Sequence, residues 1–298
     1  MERRTAEPIV LDAGDLPECP RWDDVSQRLH WVDIYAGRLC VWSPSTGERS
    51  TYDVGQPLGS FAFREGQGFV LALAAGFALS GADPSGWEPV GAHRLPDSPI
   101  RMNDGACDPV GRFLAGTMRH DEAAHGGALW RLDPQTESGQ RPPPEPVVAP
   151  TSISNGLGWS ADGRTLFHVD SADRVVWVRD YDVETGTVAA SRPFVTFDEG
   201  DGYPDGLVVD SEGCLWVALW DGGRVVRVDP TGEVLAEVLV PARRVSSCTL
   251  GGVSGSELYI TTARRRLDPS VLEAEPLHGS IFVCPVDVTA PTLARYAG

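Results

Sequence analysis

Four oxygen-bearing side chains in this chain stand at the same distance from a turn signal. Each lies eight residues before a small or polar turn residue, and the four pairs are Glu18 and Ser26, Asn103 and Gly111, Asn155 and Gly163, and Asp205 and Gly213. Two carboxylates and two carboxamides are hard oxygen donors, which suit Ca²⁺, Mg²⁺ or Mn²⁺ better than a soft metal. Zn²⁺ is a less natural option with such ligands. The shared spacing therefore predicts a divalent cation site.

The same residues have a second interpretation, in which they only form turns. Asn-Gly and Asp-Gly are frequent turn dipeptides, because Asn and Asp tolerate left-handed backbone and hydrogen-bond to it. Glu18, however, has no glycine after it and is not a turn residue. Since the two carboxylates also fall in different repeats of the sequence, the metal site is the favoured interpretation.

The turn signals divide the chain into six similar units. With Gln67 and Gly255 added, the markers lie about 40 to 50 residues apart, and each unit repeats short strands rich in aromatic and β-branched residues. That period, with about four strands per unit, predicts an all-β six-bladed β-propeller. A pair of β-sandwiches would also show short strands, but it would not repeat the same phrase six times. We expect a single domain over residues 1–298.

The propeller hypothesis explains why the four side chains share a position. Equivalent positions lie on one circle around the propeller axis, so these side chains are expected to converge at one mouth of the central channel. The remaining two units place Gly59 and Ser247 there. The N-terminal strand AEPIVLDA is expected to complete the last blade and close the ring. The one helix candidate is DPSVLEAEPLH near residue 270, which is short and interrupted by Pro276.

Composition limits the partners and the chemistry. The formal net charge is -17 and the pI about 4.7, so nucleic acid and anionic membranes are expected to be repelled. No stretch approaches the roughly 18 apolar residues of a membrane span, and the N-terminus lacks an apolar signal segment, so we expect a cytoplasmic protein. Six cysteines without a C-x-x-C pair favour buried thiols over disulfides. The close histidine pair, His120 and His125, is expected in a solvated loop.

Motifs along nearly the whole chain resemble one enzyme family. They run from ECPRWD through RMNDGACDPVGRFLAGTM, SNGLGWSADGRTLFHVDS and YPDGLVVDSEGCLWVALWDGGRVVRVDP to the closing ARYAG. At these residues the sequence resembles the SMP-30/gluconolactonase family, which includes regucalcin and the luciferin-regenerating enzymes. The resemblance implies a six-bladed propeller that hydrolyses sugar lactones with one divalent cation in its channel, Ca²⁺ being the favoured ion.

The resemblance also implies roles for particular residues. The implied metal ligands are Glu18, Asn155 and Asp205. The implied substrate contacts are Arg101, Asn103 and an acidic residue after the GTM motif, which we place at Asp121 with Glu122 as the neighbouring alternative. Two departures lie near the expected substrate: Met102 stands where an aromatic residue is common, and RHDEAAHGG forms a loop whose length varies in the family.

Lactone opening requires stabilisation of the negative charge that develops on the carbonyl oxygen while water attacks. A divalent cation supplies this as a Lewis acid. Asp205 is a candidate general base, since a ligand carboxylate keeps a second oxygen free. Arg101 offers donors for hydroxyl or ring oxygens, with an ion pair to a surface acid such as Asp97 as the alternative.

Two other functions remain open from the sequence. One is calcium-dependent hydrolysis of aryl esters or phosphotriesters, which uses the same polarising cation. The other is a calcium-binding propeller without turnover. A polar, acidic channel mouth favours a hydroxylated substrate and hence the lactone. A serine nucleophile is disfavoured because no G-x-S-x-G elbow is present. The particular lactone, the metal used in the cell and the oligomeric state are left open.

Overall fold

The computed structural model describes residues 1–90 and 99–298, and it is a six-bladed β-propeller. Six separate sheets follow one another along the chain, and the first strand of each lies at one edge of its sheet. These edge strands contact one another around a ring and are called the inner strands below. The predictions of an all-β chain and of six blades are confirmed. A single domain over residues 1–298 stays a prediction.

Each blade is a series of antiparallel hairpins. Two short strands precede the first blade: β1 (Glu2–Thr5) and β2 (Glu7–Val10). The first three blades are β3 to β6 (Pro17–Asp23, Arg28–Asp33, Arg38–Trp42, Arg49–Asp53), β7 to β10 (Leu58–Phe63, Phe69–Leu73, Gly76–Ser80, Glu88–Pro89) and β11 to β14 (Ile100–Cys107, Phe113–Arg119, Gly127–Leu132, Glu145–Thr151). The fourth blade is β15 to β18 (Ser154–Trp159, Thr165–Asp170, Val175–Asp182, Thr187–Thr196). The fifth contains β19 to β22 (Tyr203–Val209, Leu215–Trp220, Arg224–Val228, Val234–Leu239), and the sixth contains β23 to β25 (Val245–Gly251, Glu257–Thr262, Ile281–Pro285).

The N-terminal segment closes the ring. Strand β2 pairs antiparallel with β25, with Glu7 opposite Val283, which confirms the prediction that an N-terminal strand completes the last blade. Strand β1 was not expected, and it pairs parallel with β22 as a fifth strand of the fifth blade. Ala6, which is buried between the two strands, donates its backbone N–H to the Leu239 carbonyl. The first ten residues therefore hold two neighbouring blades together.

The predicted helix is present and short. Helix α1 covers Pro269–Ala274, and Asp268 caps its N-terminus by accepting a hydrogen bond from the Ser270 N–H. It ends just before Pro276, as expected because proline disfavours helical backbone in the residue before it. One further turn of 3₁₀ helix covers Glu199–Asp201. Within residues 1–90 and 99–298, no helix has the length and apolar character needed to cross a membrane.

Apolar side chains pack between neighbouring blades. The first and second blades share a cluster that includes Leu39 and Phe61, and the fourth and fifth share one that includes Val178 and Val217. Burial of such side chains is the main stabilising contribution in a structure built from separate sheets. Trp31 and Trp216 belong to the buried core. All six cysteines are free and buried, which confirms the prediction of thiols.

Candidate active site in the central channel

The inner strands are irregular at the position that the sequence repeat had marked. In β15 the pairing with β16 skips Asn155 and Gly156, and in β19 the pairing with β20 skips Asp205 and Gly206. The other four inner strands shift register at the corresponding residue or directly beside it. Such β-bulges re-aim side chains and are frequent beside functional sites. The repeated position is therefore a repeated bulge.

The Asn-Gly and Asp-Gly pairs are not turns. Both lie inside strands, and neither Gly156 nor Gly206 has a positive φ. A Cβ atom on Gly156 would lie 2.6 Å from the Leu207 nitrogen, and one on Gly206 would overlap the Ser247 side chain. These glycines let neighbouring inner strands approach closely. The interpretation of these two dipeptides as turn formers is wrong.

The side chains at the shared position are buried and interact. Glu18, Asn103, Asn155 and Asp205 are each between 4% and 6% exposed. Burial, followed by the charges of Asp205 and Asp104, raises the pKa of Glu18 well above its usual range. Burial and the charge of Asp104 likewise raise the pKa of Asp205, while the Asn155 side chain lowers it by hydrogen bonding. The structure thus brings Glu18, Asn155 and Asp205 together.

Two oxygens of this group have no hydrogen-bond partner. Within the described residues, Asn155 Oδ1 and Asp205 Oδ1 are buried and accept no hydrogen bond. Asn155 Nδ2 donates to Ser171 Oγ at 3.0 Å, which fixes the orientation of the amide. Buried oxygens without a donor are costly unless a ligand or an ion satisfies them. Together with the repulsion between the Glu18 and Asp205 carboxylates, these oxygens fit a hard divalent cation.

The group differs from metal sites built on His, Cys and carboxylates. In the part of the chain that the structure describes, no three such side chains are arranged to hold an ion. The channel group instead combines two carboxylates with an amide oxygen. Donor sets of this kind are typical of hard cations such as Ca²⁺.

Arg101 and Asn103 form one hydrogen-bonded unit in β11. Arg101 Nη1 donates to Asn103 Oδ1 at 2.6 Å, and Arg101 Nε donates to the Tyr35 hydroxyl at 3.2 Å. Asn103 Nδ2 donates to the Ser154 carbonyl at 3.0 Å, which ties the unit to the strand that carries Asn155. Among residues 1–90 and 99–298, Arg101 Nη2 finds no partner and is the donor left for a ligand.

The sequence had offered Asp97 as an alternative partner for Arg101. Asp97 lies outside the described residues. Within them, Arg101 forms no ion pair, although it is only 4% exposed. Its charge lowers the pKa of Glu18 and of Asp205, against the larger effect of burial.

The acidic residues after the GTM motif lie apart from this group. Asp121 is exposed and forms a two-pronged ion pair with Arg119 at 2.7 and 2.6 Å. Glu122 pairs with Arg266 at 2.7 Å. In the described structure no hydrogen bond or ion pair joins Asp121 to Arg101 or Asn103. A substrate contact by Asp121 or Glu122 stays a prediction, and it would have to replace an existing ion pair.

Three residues of the site were not predicted. Asp104 is buried beside the site and affects both carboxylates, and its place directly after Asn103 was the available signal. Tyr35 binds Arg101 from a loop of the first blade, and Ser171 holds the Asn155 amide. Neither Tyr35 nor Ser171 stands at the repeated position, so the repeat could not single them out.

Comparison with known proteins identifies the family. Residues 16–264 match the family described as SMP-30/gluconolactonase/LRE-like region. Regucalcin of Xenopus laevis is 36% identical over 287 residues, which cover 93% of this chain and 92% of that protein. The 6-deoxy-6-sulfogluconolactonase of Pseudomonas putida is 35% identical over 296 residues, or 99% of each chain. The structure of a calcium-binding regucalcin from Agrobacterium tumefaciens has a TM-score of 0.90, 25% identity and full coverage of both chains. The chain belongs to the SMP-30/gluconolactonase/LRE-like family.

Proposed function

We propose that this protein is a metal-dependent hydrolase that opens sugar lactones to the corresponding aldonic acids. The observation that carries the proposal is the pair of buried, unpartnered oxygens of Asn155 and Asp205 beside the Glu18 carboxyl group. This arrangement suits a polarising cation. The Arg101 Nη2 donor, which has no partner within the described residues, suits a hydroxylated substrate. Family membership and the lactonase from Pseudomonas putida support a lactone as the substrate class.

The proposed metal ligands are Glu18, Asn155 and Asp205. A divalent cation bound there would act as a Lewis acid on the lactone carbonyl. The hard oxygen donors support Ca²⁺, and the related Agrobacterium protein is described as calcium-binding. Mg²⁺, Mn²⁺ and Zn²⁺ are the ions to compare with it.

The protein side chains then position the substrate and move a proton. Arg101 Nη2 is the proposed donor to an oxygen of the substrate. Asn103 is fixed by hydrogen bonds at both ends of its amide, so it is oriented before the substrate arrives. Asp205 is the proposed general base that accepts a proton from the attacking water. Its burial shields that water from bulk solvent.

The test is lactone hydrolysis by metal-stripped protein, followed by proton release, with Ca²⁺, Mg²⁺, Mn²⁺ or Zn²⁺ added back singly. The substrate panel contains aldonolactones, an aryl ester and a phosphotriester. We expect one cation to restore lactone hydrolysis, and Glu18→Gln to abolish the restoration. Glu199→Gln, which changes an exposed glutamate in the same way, is the matched control and should behave as the wild type.

Two results would contradict the proposal. Preferential turnover of the aryl ester or phosphotriester would assign the site to that hydrolase class. Tight cation binding without turnover of any substrate would favour the calcium-binding propeller that the sequence had left open.

A further inference from the structure

Three loops meet at the mouth of the channel, and two of them carry basic side chains. The loop after β4 carries Tyr35, the loop after β12 carries His120, and the loop after β24 carries Arg265 and Arg266. These second strands run antiparallel to the inner strands. Their ends therefore lie on the same face of the propeller as the beginning of β11, where Arg101 lies.

Tyr35 is at the centre of this basic group. The guanidinium carbon of Arg265 lies 3.5 Å from the centroid of the Tyr35 ring, and that of Arg101 lies 5.2 Å from it. The His120 ring centroid is 6.0 Å away. Partial burial, followed by the charges of Arg101, Arg265 and Arg266, lowers the pKa of His120. Three guanidinium groups and an imidazole thus occupy one small region.

Only part of this positive charge is neutralised. Arg265 Nη1 pairs with Asp15 at 2.8 Å and Arg266 Nη1 pairs with Glu122 at 2.7 Å, both in contact with solvent. Pairs of this kind contribute little because water and salt screen them. In the described residues, Arg265 Nε is buried without a partner, and Arg101 has no ion pair. These two arginines keep donors for an anion.

The carboxylates nearest to Arg101 belong to the proposed metal site. Glu18 and Asp205 interact with Arg101 electrostatically, and under the proposed function the cation balances their two charges. Within the described residues Arg101 then has no counterion at the mouth, in a protein whose net charge is -17. A local positive field of this kind concentrates small anions.

We propose that the lactone carries an anionic group, such as a carboxylate, remote from its carbonyl, and that Arg265 and Arg101 bind this group. The inference rests on the proposed function and narrows its substrate class. Arginine suits the role because its planar fork of donors matches an oxyanion. Tyr35 is a positioning residue, since its ring lies against both guanidinium groups.

The test compares two lactones that differ only at C6. D-Glucono-1,4-lactone has a neutral hydroxymethyl group there, and D-glucaro-1,4-lactone has a carboxylate. We expect kcat/KM to be about tenfold or more higher for the charged lactone, the range of a charge-assisted hydrogen bond. Arg265→Gln should remove most of this preference, and Arg265→Lys should restore part of it because the charge returns.

Arg264→Gln is the matched control. Arg264 lies in the same loop but donates to Asp12 at 2.8 Å and to the Gly14 carbonyl at 3.0 Å. Its replacement should leave the preference for the charged lactone unchanged. Thermal unfolding of all variants would show that they remain folded.

The outcomes separate this inference from the proposed function. If the wild type hydrolyses both lactones equally well, or if Arg265→Gln slows both equally, the anion site is refuted and the lactonase stands. If neither lactone is hydrolysed, the lactonase proposal fails, and the anion site is then tested by ligand binding, measured as thermal stabilisation. A larger thermal stabilisation by D-glucarate than by D-gluconate, lost in Arg265→Gln, would support the anion site, and equal stabilisation would refute it.

Discussion

The two ends of the central channel use the inner strands for different chemistry. At one end the bulges present the oxygen donors of Glu18, Asn155 and Asp205, all of them buried. Toward the other end the channel opens into a cavity of about 680 Å³, lined by thiols and by Arg21 among other residues. This cavity is lined by Asp104 but by none of the three proposed metal ligands.

In two inner strands, the residue at the repeated position is followed directly by a cysteine. Glu18 is followed by Cys19, and Ser247 by Cys248, and both thiols line the cavity. Burial raises the pKa of Cys19 to about 12 and also raises the pKa of Cys248. The thiols are thus neutral at physiological pH, whereas the other end concentrates groups that can carry charge. The three proposed ligands of a hard cation lie at the other end.

The largest effect is expected at the oxygen-donor end. Asp205→Asn should lower kcat for lactone hydrolysis by about 10³, because it removes a charged ligand and the proposed base. Calcium affinity, measured by calorimetric titration, should fall by a smaller factor. Asp229→Asn, in an exposed turn, is the control. Equal losses of rate and affinity would show that Asp205 is only a ligand.

The thiol end should be chemically inert despite its cavity. At pH 8 roughly one Cys19 side chain in 10⁴ is a thiolate, against about one in ten for a thiol with a pKa of 9.0. Iodoacetamide should therefore modify Cys19 about 10³ times more slowly than a free thiol, and the rate should rise with pH up to about 12. Mass spectrometry would measure this, with urea-unfolded protein as the control. Rapid labelling of the native protein would show that the thiols are activated.

The close approach of the inner strands can be tested without touching a donor. Gly206→Ala should lower the free energy of unfolding by about 1–3 kcal/mol, because the new methyl group overlaps the Ser247 side chain. Gly66→Ala, which has open space around it, should change stability by less than about 0.5 kcal/mol. Urea unfolding measures both. An unchanged stability of Gly206→Ala would mean that the strands can move apart freely.

Asp104 lies between the two ends and gives the smallest predicted effect. Its charge raises the pKa of Glu18 and of Cys248, so it acts on both regions. Asp104→Asn should weaken calcium binding about tenfold, equivalent to ~1.4 kcal/mol, because one negative charge is lost near the cation. Calorimetric titration checks this. Unchanged affinity would mean that the two ends are electrostatically independent.

Much of the fold was predictable because the chain repeats the same order of turn and strand signals six times. Turn residues at a constant period fixed the blade count, and counting back from them located Glu18, Asn103, Asn155 and Asp205. Counting residues could not show that the shared position is a bulge, because a bulge depends on the register between two strands. The placement of β1 in the fifth blade had no local signal either, since parallel pairing depends on a strand far along the chain.

The substrate side was less predictable than the metal side. Asp121 was placed by analogy, and its ion pair with Arg119 could not be read from the sequence because loop geometry decides it. Tyr35, Arg265 and His120 meet only in three dimensions. The cytoplasmic location and the role of each site residue stay predictions.

Ring closure by the N-terminal segment has a consequence for synthesis on the ribosome. Val283, the partner of Glu7, leaves the ribosome about 276 residues after it, which takes roughly 14 to 55 seconds at ordinary elongation rates. Strand β1 meets its partner Ala236 sooner, so the fifth blade should capture the N-terminus before the sixth exists. Proteolysis of a chain truncated after residue 250 would show β1 protected and β2 still cleavable. The nascent propeller therefore stays an open ring until β25 has been synthesised and pairs with β2.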